Sequence, residues 1–461
     1  MTSIRRRYIG DRAFYRMALT VAMPIMAQNF ISNLVNMLDN LMVGALGTEQ
    51  MSGVSIVNQL IFIYNLAIFG AMSGVGIFTS QYYGKQDQEG IRYTLRYKLL
   101  AAVGIAIAAV AILILFHDGL IGLFLHETGE AGDLTATLAF GKQYLWLALI
   151  GLAPFALTQV FADTMRQTGD TVTPMIAGFS AVVVNCLFNY LLIFGKAGFP
   201  EMGVRGAAVA TALSRFCELA ILIGYLLTHK ARFPYLRGAF RGFGIPRREL
   251  REFTVKGMPL FVNELLWSAG MSMLSVAYSL HGLTVVAACS ISSTVSNLFS
   301  IACMSMGVTI GIIAGQKLGA GLHDEAVDTV RKLIAFSVAL GFVVGAALFG
   351  FGGLITDLYR TSEASRELAA YFLRVFGCIM PVIAFANATY FTLRSGGRTF
   401  VTFLFDSVFM WVLPVPTAFA LYYLFHPDIH IVFPIVQGLE ILKCVVGYIM
   451  MKKRVWVRTI V

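Results

Sequence analysis

Apolar residues in this chain run in long blocks, and polar residues are held mostly to the short intervals between them. Twelve blocks can be marked, roughly 17–43, 54–79, 99–125, 138–161, 172–195, 203–228, 255–280, 286–314, 333–357, 370–393, 400–425 and 430–451. Each is about twenty residues or longer, enough for a helix to cross a hydrocarbon core of roughly 30 Å. The pattern predicts an all-α integral membrane protein with twelve transmembrane helices. The one long polar interval, 229–254, holds Pro234, Gly238, Gly242, Gly244 and Pro246, which suit a loop or a short surface helix. It separates an N-terminal lobe of six spans, 1–228, from a C-terminal lobe of six, 255–461.

The two lobes read as copies. Pro24 and Pro259 stand 235 positions apart, and the same offset pairs Gly47 with Gly282, Ser55 with Ser290 and Gly76 with Gly311. It also pairs Gln81 with Gln316, Gly84 with Gly319, Thr94 with Thr329, and Arg96 with Arg331. With a slight shift, Arg166-x-x-Gly169-x-Thr171 returns as Arg394-x-x-Gly397-x-Thr399, and Gly224-Tyr225 as Gly447-Tyr448. An even number of spans separates the copies. Two homologous six-helix bundles related by a pseudo-two-fold axis along the membrane normal are therefore expected, with a substrate cavity between them near the midplane.

Composition agrees. Apolar residues make up 57% and charged residues 13%, roughly half the usual globular share of charge, so the chain cannot surface several soluble globules. A net charge of +10 raises the question of nucleic acid, but the basic residues cluster beside apolar blocks. They lie at Arg5, Arg6, Arg7, Arg12 and Arg16, at Lys230, Arg232, Arg237, Arg241, Arg247, Arg248 and Arg251, and at Lys452, Lys453, Arg454 and Arg458. That distribution predicts both termini and the central segment on the cytoplasmic side of a cell membrane, expected to be a bacterial inner membrane, held further by an anionic leaflet. By the same count the interval with His126, Glu127, Glu130 and Asp133 falls outside, and those with Lys85, Arg92, Arg96 and Lys98, and with Lys317, Arg331 and Lys332, fall inside. The lipid bilayer is thus the expected partner, not nucleic acid. The N-terminal stretch shows no cleavable-signal pattern. The six cysteines are scattered without a C-x-x-C pair, which points to neither a disulfide frame nor a metal site.

Charges within spans carry the chemistry, because each costs about 2.5–3.5 kcal/mol at a helix centre. Asp39 has no basic residue three or four positions away. A carboxyl held in a low dielectric without a partner can exchange a proton or bind a small cation. Asn185 and Asn189 share one helix face at i and i+4; they would either help to coordinate Na⁺ beside Asp39 or bond neighbouring helices. Thr211 in the sixth span is a weaker candidate of the same kind. Arg215 with Glu218, and Glu440 with Lys443, stand at i and i+3 and read as self-neutralising pairs. Glu264 and Asp406 have no local partner and would face a cavity of the C-terminal lobe or reach headgroup water. Pro24 and Pro259 remove a backbone bond within their spans and permit either fixed or changing bends. No Walker loop or zinc-protease helix is present. An enzyme and a cofactor are therefore not expected, and the energy source would be an ion gradient.

These residues resemble the multidrug and toxic compound extrusion (MATE) transporters of the MOP flippase superfamily. The resemblance covers essentially the whole chain. Its most specific piece is Asp39-x-x-x-Val43-Gly44-x-Leu46-Gly47 with Pro24 upstream; Asn185-x-x-x-Asn189 and the run Gly203 to Thr211 are similar to fifth- and sixth-helix motifs. The resemblance implies that Asp39, Asn185, Asn189 and Thr211 surround a proton or Na⁺ site. The chain departs from the pattern in two places. Asn189 leaves Asp39 as the only carboxylate of that group, and Glu264 lies about one turn nearer its proline than the glutamate of one family branch, where Trp267 stands here. The function implied is a monomeric antiporter exporting organic cations or amphipathic drugs in exchange for H⁺ or Na⁺ by rocker-type alternating access. The alternative is a lipid-linked oligosaccharide flippase of the same superfamily, for which a basic cavity would be expected.

Overall fold

Hydrocarbon offers a backbone amide no partner outside its own segment, so spans of this composition have to be helical. The computed structural model describes residues 8–122, 134–242, 244–359 and 361–461, and among them no strand occurs. The helices are α1 (Arg12–Gly44), α2 (Thr48–Lys85), α3 (Gln88–Gly122), α4 (Leu134–Gln167), α5 (Val172–Ile193) and α6 (Val204–Thr228). They continue with α7 (Arg247–Ser279), α8 (Leu283–Gly319), α9 (His323–Thr356), α10 (Glu363–Ser395), α11 (Thr399–Phe425) and α12 (Ile429–Lys452). These twelve are long and apolar enough to cross a membrane. The protein is an all-α integral membrane protein. Arg5, Arg6 and Arg7, and the interval with His126, Glu127, Glu130 and Asp133, lie outside the described residues.

Several helices outrun their apolar blocks. The interval expected to hold Lys85, Arg92, Arg96 and Lys98 in a loop is almost entirely helix, because α2 ends at Lys85 and α3 begins at Gln88. Likewise α7 begins at Arg247, inside the polar central segment. Hydropathy marks only the part of a helix immersed in hydrocarbon, whereas the hydrogen-bond ladder continues until something stops it. Two spans are interrupted. In α11, π-helical turns occupy Leu404–Val408 and Leu421–Phe425, with Pro414 between them. In α12, Leu439 divides Ile429–Gly438 from Glu440–Lys452.

Contacts divide the chain into two compact units. One comprises Met1–Met26, Ser80–Asp87 and Thr254–Val461, and the other Ala27–Thr79 and Gln88–Phe253. In the unit that contains α7 to α12, the ends of α2 and α8 meet backbone to backbone. A Cβ on Gly84 would lie 2.7 Å from the Gln316 carbonyl carbon, and one on Gly319 would lie 2.5 Å from that of Gln81. Helices without a hydrophobic drive to associate in lipid gain cohesion from such close approach. The buried Gln81 amide then ties this junction to the chain end. It donates to Ser395 O at 2.8 Å and Arg458 O at 3.3 Å, and accepts from Ile460 N at 2.8 Å.

In the unit that contains α3 to α6, small residues again set the spacing. A Cβ on Gly206 would lie 2.6 Å from Leu192 O, and one on Gly53 2.7 Å from Thr137 O. The central segment is fastened here. One guanidinium, that of Arg96, donates to Ala239 O at 2.9 Å, Gly244 O at 2.8 Å and Gly238 O at 3.0 Å, while Arg92 donates to Tyr235 O at 3.3 Å. Phe233, Tyr235 and Ala239 of the segment are buried.

Candidate functional site

In the unit of α3 to α6, α5 brings Asn185 and Asn189 to one face, at 4% and 1% exposure, and α1 carries Asp39 to the same point. Asn189 Nδ2 donates to Asp39 Oδ1. The Asn185 amide and Thr211 Oγ1 of α6 stand 3.3 Å apart. The four residues line one cavity of about 350 Å³ together with Asn58, Tyr144, Ser214, Arg215 and Glu218. Asp39, Asn185, Asn189 and Thr211 therefore meet, although they come from three helices and span well over a hundred positions.

The amide of Asn185 presents its Nδ2 to Asp39 and donates to Oδ1 at 2.8 Å and to Oδ2 at 3.2 Å. The opposite orientation would set an amide oxygen against a carboxylate with nothing to donate between them. Across the site, Asn189 Oδ1 is buried and accepts no hydrogen bond from the described residues. The oxygens available are thus those of Asp39, Asn189 Oδ1 and Thr211 Oγ1, a donor set that fits a hard cation such as Na⁺. Arg215 and Glu218 pair at 3.4 Å, and the Arg215 guanidinium also covers the Phe155 ring at 4.8 Å.

A second polar group lies in the unit of α7 to α12. Tyr390 OH donates to Glu264 Oε1 at 3.1 Å and accepts from Asn263 Nδ2 at 3.2 Å. Asn263, with no exposed surface, also donates to Asp406 Oδ2 at 3.1 Å, and Ser407 Oγ donates to Asn263 O at 2.8 Å. Glu264 and Asp406 are therefore joined through two side chains. Asp406 and Ser407 sit on the π-helical turn of α11, a distortion that re-aims side chains and is frequent at functional positions. Asp406 has an ion partner that local spacing could not reveal. Lys443 Nζ of α12 lies 2.8 Å from Asp406 Oδ1 and 3.8 Å from Glu440, so the Glu440–Lys443 pair is not self-contained. The helices α1 and α7 run unbroken through Pro24 and Pro259.

The sequence reading missed three contributors. Lys98 is fully buried and pairs with Asp163 at 2.7 Å, but both stand at the margins of their apolar blocks. Tyr144 and Tyr390 carry hydroxyls into the two polar groups, and a tyrosine in an apolar block gives no signal of that kind. Arg166, marked in the sequence only as part of the repeat, donates to Gln28 Oε1 at 3.2 Å, and neither residue lines the Asp39 cavity.

Comparison with known proteins agrees with this architecture. The MatE family model matches residues 24–191 and 259–420. A probable multidrug resistance protein NorM of Thermotoga maritima is 26% identical over 403 residues, covering 87% of this chain and 84% of that protein. A probable multidrug resistance protein YoeA of Bacillus subtilis is 24% identical over 405 residues, 86% of this chain and 85% of that protein. Among solved structures, the outward-facing conformation of a multidrug resistance MATE family transporter of the MOP superfamily superposes with a TM-score of 0.85 at 18% identity, over 97% of each chain. The match falls on both halves of the sequence and takes in the helices that carry Asp39, Asn185, Asn189 and Glu264. The chain belongs to the MatE family of membrane transporters.

Proposed function

We propose that this transporter is an antiporter that exports organic cations or amphipathic drugs in exchange for H⁺ or Na⁺, by rocker-type alternating access. One observation carries the reading: a carboxyl without an ion partner among the described residues faces a cavity and is held by two buried amides, with the Asn189 oxygen left without a hydrogen bond among those residues. Proton or Na⁺ would be taken up at the Asp39 carboxyl, beside Asn189 Oδ1 and Thr211 Oγ1. The Arg215–Glu218 pair is neutral as a unit, which leaves Asp39 to attract cationic cargo. The names of the relatives, multidrug resistance proteins, support drugs as the cargo class. The basic clusters support cytoplasmic termini and a cytoplasmic central segment, and no cofactor is invoked beyond the coupling ion.

Efflux of a fluorescent organic cation from proteoliposomes, with Na⁺ and pH gradients imposed separately, tests the proposal. Efflux driven by one gradient and abolished by Asp39→Asn is the expected result. Normal gradient-driven efflux by that variant would remove Asp39 from coupling. Absence of efflux under either gradient would replace drug export with the oligosaccharide-lipid flippase reading.

A further inference from the structure

In the unit of α3 to α6, the fastened central segment overhangs a second cavity of about 1000 Å³, separate in its lining from that of Asp39. Its wall is apolar and is built from the same ends of three helices, with Leu100 and Val103 of α3, Phe161 of α4 and Leu227 of α6. Leu100, Val103 and Leu227 are between 46% and 57% exposed, so this wall is open to lipid. Its rim carries Lys230, Arg237 and Arg241, all exposed. Their neighbour Arg232 is engaged, with Asp170 at 3.5 Å and the Tyr225 hydroxyl at 2.9 Å. Among the described residues no carboxylate pairs with the other three. Three unpaired cations over a lipid-facing apolar groove need an amphipathic anion. A soluble anion leaves the wall uncovered, and a zwitterionic lipid brings no net charge to the rim.

We propose that this groove binds a phospholipid with an anionic headgroup, its phosphate held by Lys230, Arg237 and Arg241 and an acyl chain laid along Leu100, Val103 and Leu227. The Arg96 clamp on Gly238, Ala239 and Gly244 makes the rim a preformed one, because it fixes the backbone that carries Arg237 and Arg241. Basic pockets between membrane helices at one membrane face suit such headgroups, and each cation near an anionic surface contributes on the order of one tenfold step in affinity or somewhat less. The site is independent of the coupling chemistry at Asp39.

The test uses delipidated full-length protein in detergent, with retained phosphatidylglycerol or phosphatidylcholine counted by native mass spectrometry. Phosphatidylglycerol should be held more tightly, and K230Q/R237Q/R241Q should weaken it by about a hundredfold while leaving phosphatidylcholine unchanged. A second variant, Val103→Trp, keeps every charge but fills the groove, and should weaken phosphatidylglycerol as well. Soluble glycerophosphoglycerol, the headgroup alone, should fail to displace the lipid at equal concentration. Retention of phosphatidylglycerol by the triple variant at the wild-type level would overturn the proposal. So would unimpaired binding by Val103→Trp, or displacement by the headgroup alone, since either would leave the apolar wall without a role.

Discussion

Replacing Lys443 with methionine isolates the charge network that joins α11 to α12. Lys443 lies 2.8 Å from Asp406 and 3.8 Å from Glu440, and the side chains of all three are less than a fifth exposed. At an effective dielectric of about 20 the two attractions are gross terms of about 6 and 4 kcal/mol. Desolvation cancels most of that in the intact network, but removing one partner of a buried pair typically costs about 3–5 kcal/mol, because a charge is left without its counterpart. Methionine keeps an apolar stem of similar length and removes only the ammonium, which also stands 5.4 Å and 5.8 Å from the Phe405 and Phe409 ring centroids, so the loss is mainly electrostatic. Lys443→Met abandons two carboxylates and should fall at the upper end of that range. Asp406→Asn leaves Lys443 with Glu440 and should cost roughly half as much. The double variant should be more stable than the sum of the singles implies, with a coupling of about 1 kcal/mol or more. Reversible unfolding in mixed micelles measures all four corners of the cycle. Equal, additive effects of the two single changes would refute a shared lysine.

The reciprocal glycines make a steric prediction: Gly319→Ala places a methyl against the Gln81 carbonyl and should cost about 3 kcal/mol or more, seen as loss of monodisperse protein on size exclusion. Gly104→Ala, whose methyl would meet nothing within 4 Å, is the matched control and should stay near wild type. Asn189→Leu removes both the donor to Asp39 and the unbonded oxygen, and should raise the ion concentration for half-maximal coupled efflux at least tenfold, about 1.4 kcal/mol. Arg96→Ala deletes three bonds to the central segment, and trypsin should then cut at Lys230, Arg237 or Arg241 at least tenfold faster, timed by gel.

Much of this molecule was legible before any coordinates. Spans are dictated by hydropathy because lipid admits no unsatisfied backbone, and the twelve blocks became twelve helices. Local helical periodicity also works inside a span, and it put Asn185 and Asn189 on one face. The repeat pointed to Gly84 and Gly319 without supplying the reason for them.

That reason is a matter of where the chain returns in space. Gly84 and Gly319 are required because the ends of α2 and α8 touch, which no window of sequence can display. Asp406 read as unpaired because its lysine stands 37 positions away on another helix. Arg96 read as a topogenic charge, yet its guanidinium is spent on three carbonyls of the central segment. Solvent chemistry is local, so residue order alone determined which segments enter the membrane and which face of a helix is polar. Ion pairing and close packing depend on distances between segments. Only the tertiary structure decided which charges are neutralised, which oxygens gather around Asp39, and which cations are left over a groove for something else to bind.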